Sequence, residues 1–439
     1  WTIEVTATGY KTTISSTGKI TDSAEGGSGE TGGGDGETPV AVAGKRYSAD
    51  EKIKVGNEEI SMLGGFTLSG VPKESESVDK GVVAYLIPEG TTVDWTDDDK
   101  VLEAQETYDQ FVWVPVPEED IIAVDMDEDD DIDTDDIDLM IAEERFPMAI
   151  ANGTNAETGK TEYRAVLYDF NLSSDGTKVE VTDKSYTAES DYWEPGYLKD
   201  STNADGNSTY NNVGITTETM QNSFDAMIAK VKSNGGFWVG RYETSNMVKG
   251  TAENTAANDL INKVTVIKGT KEGIADTTSA SDGTGLNWYR MYAQQKNYAT
   301  KALGESATRT SSMIWGSQWD QIMIWMRKVA NDKNTANTNT FYVVNAVGMG
   351  NYGLNADGTT KTTQAVAETG STTDYEVKNI YDLAGNVEDW TLEAYNTNYR
   401  VLRGGYYHLT TTSYTRGGHR SNNSPRNSYT DSGSRATLY

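Results

Sequence analysis

The chain predicts a loop-rich α+β fold, and three observations carry that reading. Glycine outnumbers proline 43 to 8, which suits tight turns and long irregular connections better than a helical bundle. Two helical stripes of apolar residues stand out, each next to a strand-like run. Hydrophobic content is only 36%, but 10 Trp and 25 Tyr supply bulky core material. At 439 residues, length alone suggests two or three domains.

Residues 1 to 20 alternate apolar and polar with β-branched residues and read as two short strands around Thr8-Gly9. The β-rich extension 1–24 is too small to fold alone, so it is expected to pair with a partner, another subunit or an upstream segment. Residues 25–54 read as a flexible, acidic, glycine-rich linker, and 55–439 as the main domain. Within it, 81–87 and 111–116 are strand candidates, and Pro115 pushes the second towards an edge or a strand end. Met220, Phe224, Met227, Ile228 and Val231 form one helical stripe that Gly235-Gly236 stops. A second helix starts at Ser317, with Asp320 at the capping-box position and Trp319, Ile322, Met323, Met326 and Val329 facing inward. Residues 118–215, acidic and then rich in Asn, Thr and Gly, read as an insertion decorating the core.

Net charge is −30, and half of it is local: residues 118–144 hold fifteen Asp or Glu and no Lys or Arg. That balance argues against nucleic acid, whose phosphates need clustered positive charge, and against an anionic membrane surface. It favours solubility and metal cations. The absence of cysteine excludes disulfides, thiolate metal sites and cysteine nucleophiles. No apolar run reaches the length of about 18 residues that a spanning helix needs. The start at Trp1 is read as that of a processed fragment whose leader or anchor lies upstream.

The last 59 residues carry the most specific text. Tyr381 to Trp390 reads Y-D-L-A-G-N-V-E-D-W, Arg403-Gly404-Gly405 follows, and Gly433-Ser434-Arg435 stands near the end. This order resembles the C-terminal signature of the formylglycine-generating enzyme family, whose fold is a C-type-lectin variant. The segments FVWVPV, GGFWVGRYETSN, NWYRMYAQQKNYA and SMIWGSQWDQIMIW extend the resemblance over roughly residues 80 to 439. It implies a C-type-lectin-like domain carrying an acidic insertion and a short β-rich extension. The arrangement also looks like clostridial-type surface proteins with a pilin-like helix upstream.

The resemblance implies a calcium site using Asp382, the Gly385 and Val387 carbonyls and Asp389, although the family's W-E pair has become Glu388-Asp389. Asp382 and Asp389 are alternatively plain caps of a tight turn. The family's two copper-binding cysteines would fall on Leu409 and Tyr414, and the three histidines of its iron-dependent relatives are reduced to His408 and His419. Catalysis of either type is therefore not expected. A second cation candidate lies in the acidic run, where Asp125, Asp127, Asp129, Asp131, Asp133 and Asp136 match positions 1, 3, 5, 7, 9 and 12 of an EF-hand count. The glycine at position 6 and the glutamate at 12 are missing, and a solvated, self-repelling loop is the competing reading.

Residues 395–439 hold seven Tyr, six Arg and two His against one acid, a local charge of +5. Such Tyr-, Ser-, Asn- and Arg-rich text is paratope-like, because Tyr offers contact area at low entropic cost. It resembles the variable region that diversity-generating retroelements mutate in bacterial and phage surface proteins. Tyr406, Tyr407, His408, Tyr414, Arg416, His419 and Arg420 are the candidate contacts to a protein or glycan ligand. The expected function is a non-enzymatic, extracellular, surface-displayed binding protein. The alternatives are a pilus or filament subunit, with the +5 and acidic segments steering head-to-tail contact, and a degenerate metal-dependent enzyme.

Overall fold

The computed structural model describes residues 3–7, 10–14, 20–24, 38–184, 194–195, 215–247, 285–304, 309–335, 340–396 and 398–439. Thr8-Gly9 and the glycine-rich stretch 25–37 lie outside the described residues. The chain forms two compact units, Trp1–Thr38 and Pro39–Tyr439.

The first unit is an antiparallel meander of Ile3–Ala7, Tyr10–Ile14 and Ile20–Ala24. The sequence reading anticipated two strands. The third pairs along the full length of the second, from Ile14↔Ile20 to Tyr10↔Ala24. A two-stranded hairpin is marginal in water, and a third strand satisfies one more row of backbone groups.

The second unit begins at Pro39, within the stretch 25–54 read as a linker. Lys52–Val55 pairs with Glu58–Ser61, and Tyr47, Ile53 and Val55 are buried in the common core. Those three apolar side chains fix a segment that otherwise reads as polar.

The central sheet has six strands in the order Ser311–Met313, Ala436–Leu438, Gly236–Gly240, Gln110–Pro115, Val83–Tyr85 and Thr67–Leu68. All its pairings are antiparallel. Trp113 and Trp238 stand directly opposite, rings 5.4 Å apart and edge-on, a cross-strand pair worth about 0.5–1 kcal/mol. Pro115 ends its strand opposite Gly236, as its missing N–H requires.

The helix Thr217–Asn234 buries the whole predicted stripe and ends on Gly235 at φ 77°, a left-handed conformation that glycine adopts freely. The second predicted helix spans Gly316–Met326, one residue earlier than expected. Asp320 does not cap it. Gln318 Oε1 accepts from Trp315 N, and Asp320 turns to the helix's buried side. Trp288–Lys296 is helical and buries Trp288, Met291 and Tyr292.

Residues 118–215 do more than decorate the surface. Ile121, Met140, Met148, Tyr168 and Phe170 lie in the core. The acidic run is partly ordered, with a short 3-10 turn Glu118–Asp120 and a helix Thr134–Ala142 capped by Asp133. No described helix is long and apolar enough to cross a membrane.

Candidate functional site

A four-stranded sheet carries the C-terminal motifs, in the order Arg420–Asn423, Arg400–Arg403, Glu388–Ala394 and Ser432–Ser434. The last two run parallel and the other pairs antiparallel. The A-G-N and R-G-G motifs meet backbone to backbone, since Gly385 N donates to Gly404 O at 3.0 Å. Gly385 and Gly404 both sit near φ +85°, and a Cβ would come within 2.6 Å of Asn351 O at the first and 2.5 Å of Leu383 O at the second. The motif glycines are therefore set by close approach of chain to chain.

Beneath this contact lies a buried carboxylate cluster. Asp382, Asp389 and Glu243 are all within 2% of full burial, and one guanidinium, Arg435, is buried with them. Asp382 Oδ2 accepts from Thr369 Oγ1 at 2.9 Å and Gly370 N at 3.0 Å, both on a segment outside the 382–390 turn. Glu243 accepts from Asn386 Nδ2 at 2.6 Å and Val387 N at 3.3 Å. Asp389 Oδ2 faces Arg435 Nε at 3.3 Å, while its Oδ1 has no hydrogen-bond partner among the described residues. Burial pushes Asp389 up to about 6, and burial followed by the neighbouring Asp382 and Asp389 raises Glu243 well above the usual carboxylate range. Three carboxylates share one guanidinium here, but among the described residues their ligand oxygens do not gather within 4.8 Å of one another. Sequence reasoning missed Glu243, although its E-T-S-N text was on the page.

The acidic run contributes a second cluster. Among the described residues, Asp125, Asp127 and Asp136 are the three acids whose ligand oxygens gather within 4.8 Å of one another. Asp136 is buried, and its carboxylate accepts from Met126 N at 2.5 Å and Asp133 N at 3.0 Å. Asp129, Asp131 and Asp133 remain exposed.

The predicted ligand residues divide. Arg420 turns inward, pairing with Asp320 and Glu393 at 3.0 Å and with Asp169 at 2.9 Å. Arg403 joins the same Asp320 and Glu393, fully buried. Arg416 donates to Phe170 O at 3.0 Å. His419 is buried, its Nε2 3.4 Å from Glu388 Oε1. The +5 segment is thus largely internal: Arg400, Arg403 and Arg435 are fully buried as well. Arg416, Arg420 and Arg426 are half-buried. Asp320 and Glu393 pair with Arg403 and Asp389 with Arg435, whereas Arg400 donates to the Asn396 and Tyr399 carbonyls and lies over the Trp288 ring.

What stays outside is aromatic. Tyr406 and Tyr407 are half-buried and His408 is exposed, its ring 4.3 Å from the Tyr406 ring and 4.8 Å from that of Tyr407. Residues 410–413 are exposed, and Tyr414 is 49% exposed with its ring edge-on to His419 at 5.3 Å. Tyr407 N is tied to Asn386 O at 3.0 Å, which anchors this loop on the G-N turn. Leu409 and Tyr414, where the family's cysteines would fall, offer no thiol.

Another group escaped sequence reading. Glu194 is fully buried and accepts from Gly316 N at 2.6 Å and Ser317 N at 2.8 Å, at the start of the 316–326 helix. Burial lifts it to about 8, helped by nearby Glu393. No periodicity or motif marks position 194.

Three solved structures resemble part of this chain. CarF matches at 14% identity and a TM-score of 0.30, over 46% of this chain and 85% of its own. Treponema denticola variable protein 1 matches at 16% and 0.26, over 46% and 95% respectively. PvdO from Pseudomonas aeruginosa matches at 16% and 0.27, over 47% and 81%. No family model and no curated protein matches the chain.

Proposed function

We propose that this protein is a non-catalytic binding protein displayed outside the cell, with the loop 406–414 as its ligand face. The observation that supports this is the division of the C-terminal segment. Arg403, Arg420 and Arg435 are spent on internal ion pairs, while Tyr406, Tyr407, His408 and Tyr414 are left at the surface. Aromatic side chains on a rigid mount lose little entropy on binding, which favours a protein or glycan ligand. The same loop lacks the thiols that copper chemistry would use, so the reading is of a fold kept for presentation.

Calcium is proposed as a structural ion at Asp382, Gly385, Val387 and Asp389. The support is the excess negative charge buried there and the orphaned Asp389 Oδ1. Its role would be to neutralise the cluster and stiffen the turn that holds Tyr407.

The test of the ligand face is a comparison of Tyr406→Ala, Tyr414→Ala and wild type on native cell surfaces or extracellular extracts. Loss of capture with an unchanged melting temperature is expected. Capture that survives both substitutions sinks the assignment.

A further inference from the structure

We propose a second binding site, for a neutral saccharide, in the groove between the 149–165 hairpin and the exposed face of the 217–234 helix. The groove holds about 410 Å³, and its walls include Asn155, Glu162, Tyr163, Asn222 and Asp225. That is room for one or two sugar rings.

Local structure makes the groove. Ala149–Thr154 pairs with Thr161–Ala165, and the helix lies alongside. Tyr163 N donates to Asp225 Oδ1 at 2.8 Å, and Gln221 Nε2 donates to Tyr163 O at 2.8 Å. Gln221 Nε2 also reaches Asp225 Oδ1 at 2.8 Å. The two walls are thus clamped along one line, so the site exists before any ligand arrives. Both bonds to Asp225 use Oδ1, which leaves Oδ2 without a protein donor among the described residues.

The helix face supports the reading. Ala226 and Ala229 are exposed and line the groove, one turn apart. The long polar side chains usual at such positions would fill it. Instead the floor is small and apolar and the rim is planar and polar. Carboxylates and amides, such as Asp225, Glu162 and Asn222, match vicinal hydroxyl pairs with paired acceptors and donors, and Tyr163 offers an aromatic body.

Charge selects among ligands. Glu162 and Asp225 face one ammonium, Lys160, so the site carries a net negative charge. Burial and the nearby Glu162 raise the Asp225 carboxyl above its usual range. Phosphorylated, sulfated and uronate-rich ligands are disfavoured, and uncharged sugars are favoured.

The experiment is saturation-transfer NMR on the full chain with neutral disaccharides (cellobiose, chitobiose, mannobiose, lactose), and with a sulfated disaccharide as the charge control. Transfer to at least one neutral sugar is expected, with none to the sulfated one. Ala226→Trp, which fills the groove from an exposed position, is expected to abolish it. Asn222→Ala, a milder change, is expected to weaken affinity severalfold. Tyr414→Ala is expected to leave it intact, which separates this site from the C-terminal face. No transfer from any neutral sugar, or transfer that survives both groove substitutions, overturns the proposal.

Discussion

Residues 118–144 and residues 395–439 are both dominated by charge, yet they dispose of it in opposite ways. In the acidic segment, Asp120 and Asp136 are buried and Asp125 is half-buried, while the other acids are exposed. In the C-terminal segment, Arg400, Arg403 and Arg435 are fully buried, and the Arg420 side chain is 5% exposed. Local composition therefore says little about surface potential until partners are known. Most of the acids, with no basic residue within their own stretch, stay in water. Arg403, Arg420 and Arg435 have Asp320, Glu393, Asp389 and Asp169 on other elements, and Arg400 has backbone carbonyls and the Trp288 ring.

The largest effect that tests this contrast is Arg403→Ala. It strips a buried cation from Asp320 and Glu393 and should cost about 3–5 kcal/mol. Urea unfolding would measure it, and a loss under 1 kcal/mol would mean the network is not formed. A smaller effect is expected from pH. Glu194 has its folded pKa raised to about 8 from 4.5, so folded protein binds a proton that unfolded protein has released. Stability must then fall as pH rises from about 4.5 to about 8, and level off beyond. Glu194→Gln should flatten that slope in thermal melts, and an equal slope in both proteins rejects the assignment.

Calcium sets the acidic segment against the buried Asp382, Asp389 and Glu243, three carboxylates that lie outside residues 395–439. EDTA should lower the melting temperature of wild type, and Asp389→Ala should remove that dependence. If Asp136→Ala removes it and Asp389→Ala does not, the ion belongs to the acidic run instead. The smallest effect is expected from Asp129→Asn and Asp131→Asn, two exposed acids. Each should change stability by less than about 0.5 kcal/mol. A larger loss would show that the run is organised beyond its buried members.

The sequence was most legible where a pattern is periodic or sterically forced. The Met220-to-Val231 stripe fixes one helix and Gly235 its end, because burial on one face and a left-handed stop are both local requirements. The motif glycines were legible for the same reason, since no Cβ fits at 385 or 404. Long-range electrostatics were not. Asp320 reads as a capping residue by its spacing, but Arg403 and Arg420, more than eighty residues away, claim it. Glu194 could not be found at all, because what defines it is a helix start more than a hundred residues downstream.

The strand Ala436–Leu438 has a consequence for the order in which the molecule can be made. It lies inside the central sheet, between Ser311–Met313 and Gly236–Gly240. On a ribosome, everything up to residue 435 has emerged before that slot can be filled. Until then the Gly236–Gly240 strand has one side without its partner, and Ser311–Met313 has no sheet to join. From the time residue 240 is made until residue 436 follows, the nascent chain carries an open sheet edge, a template for pairing with other chains. The central sheet therefore closes only when a segment almost two hundred residues downstream of Gly236–Gly240 takes its place.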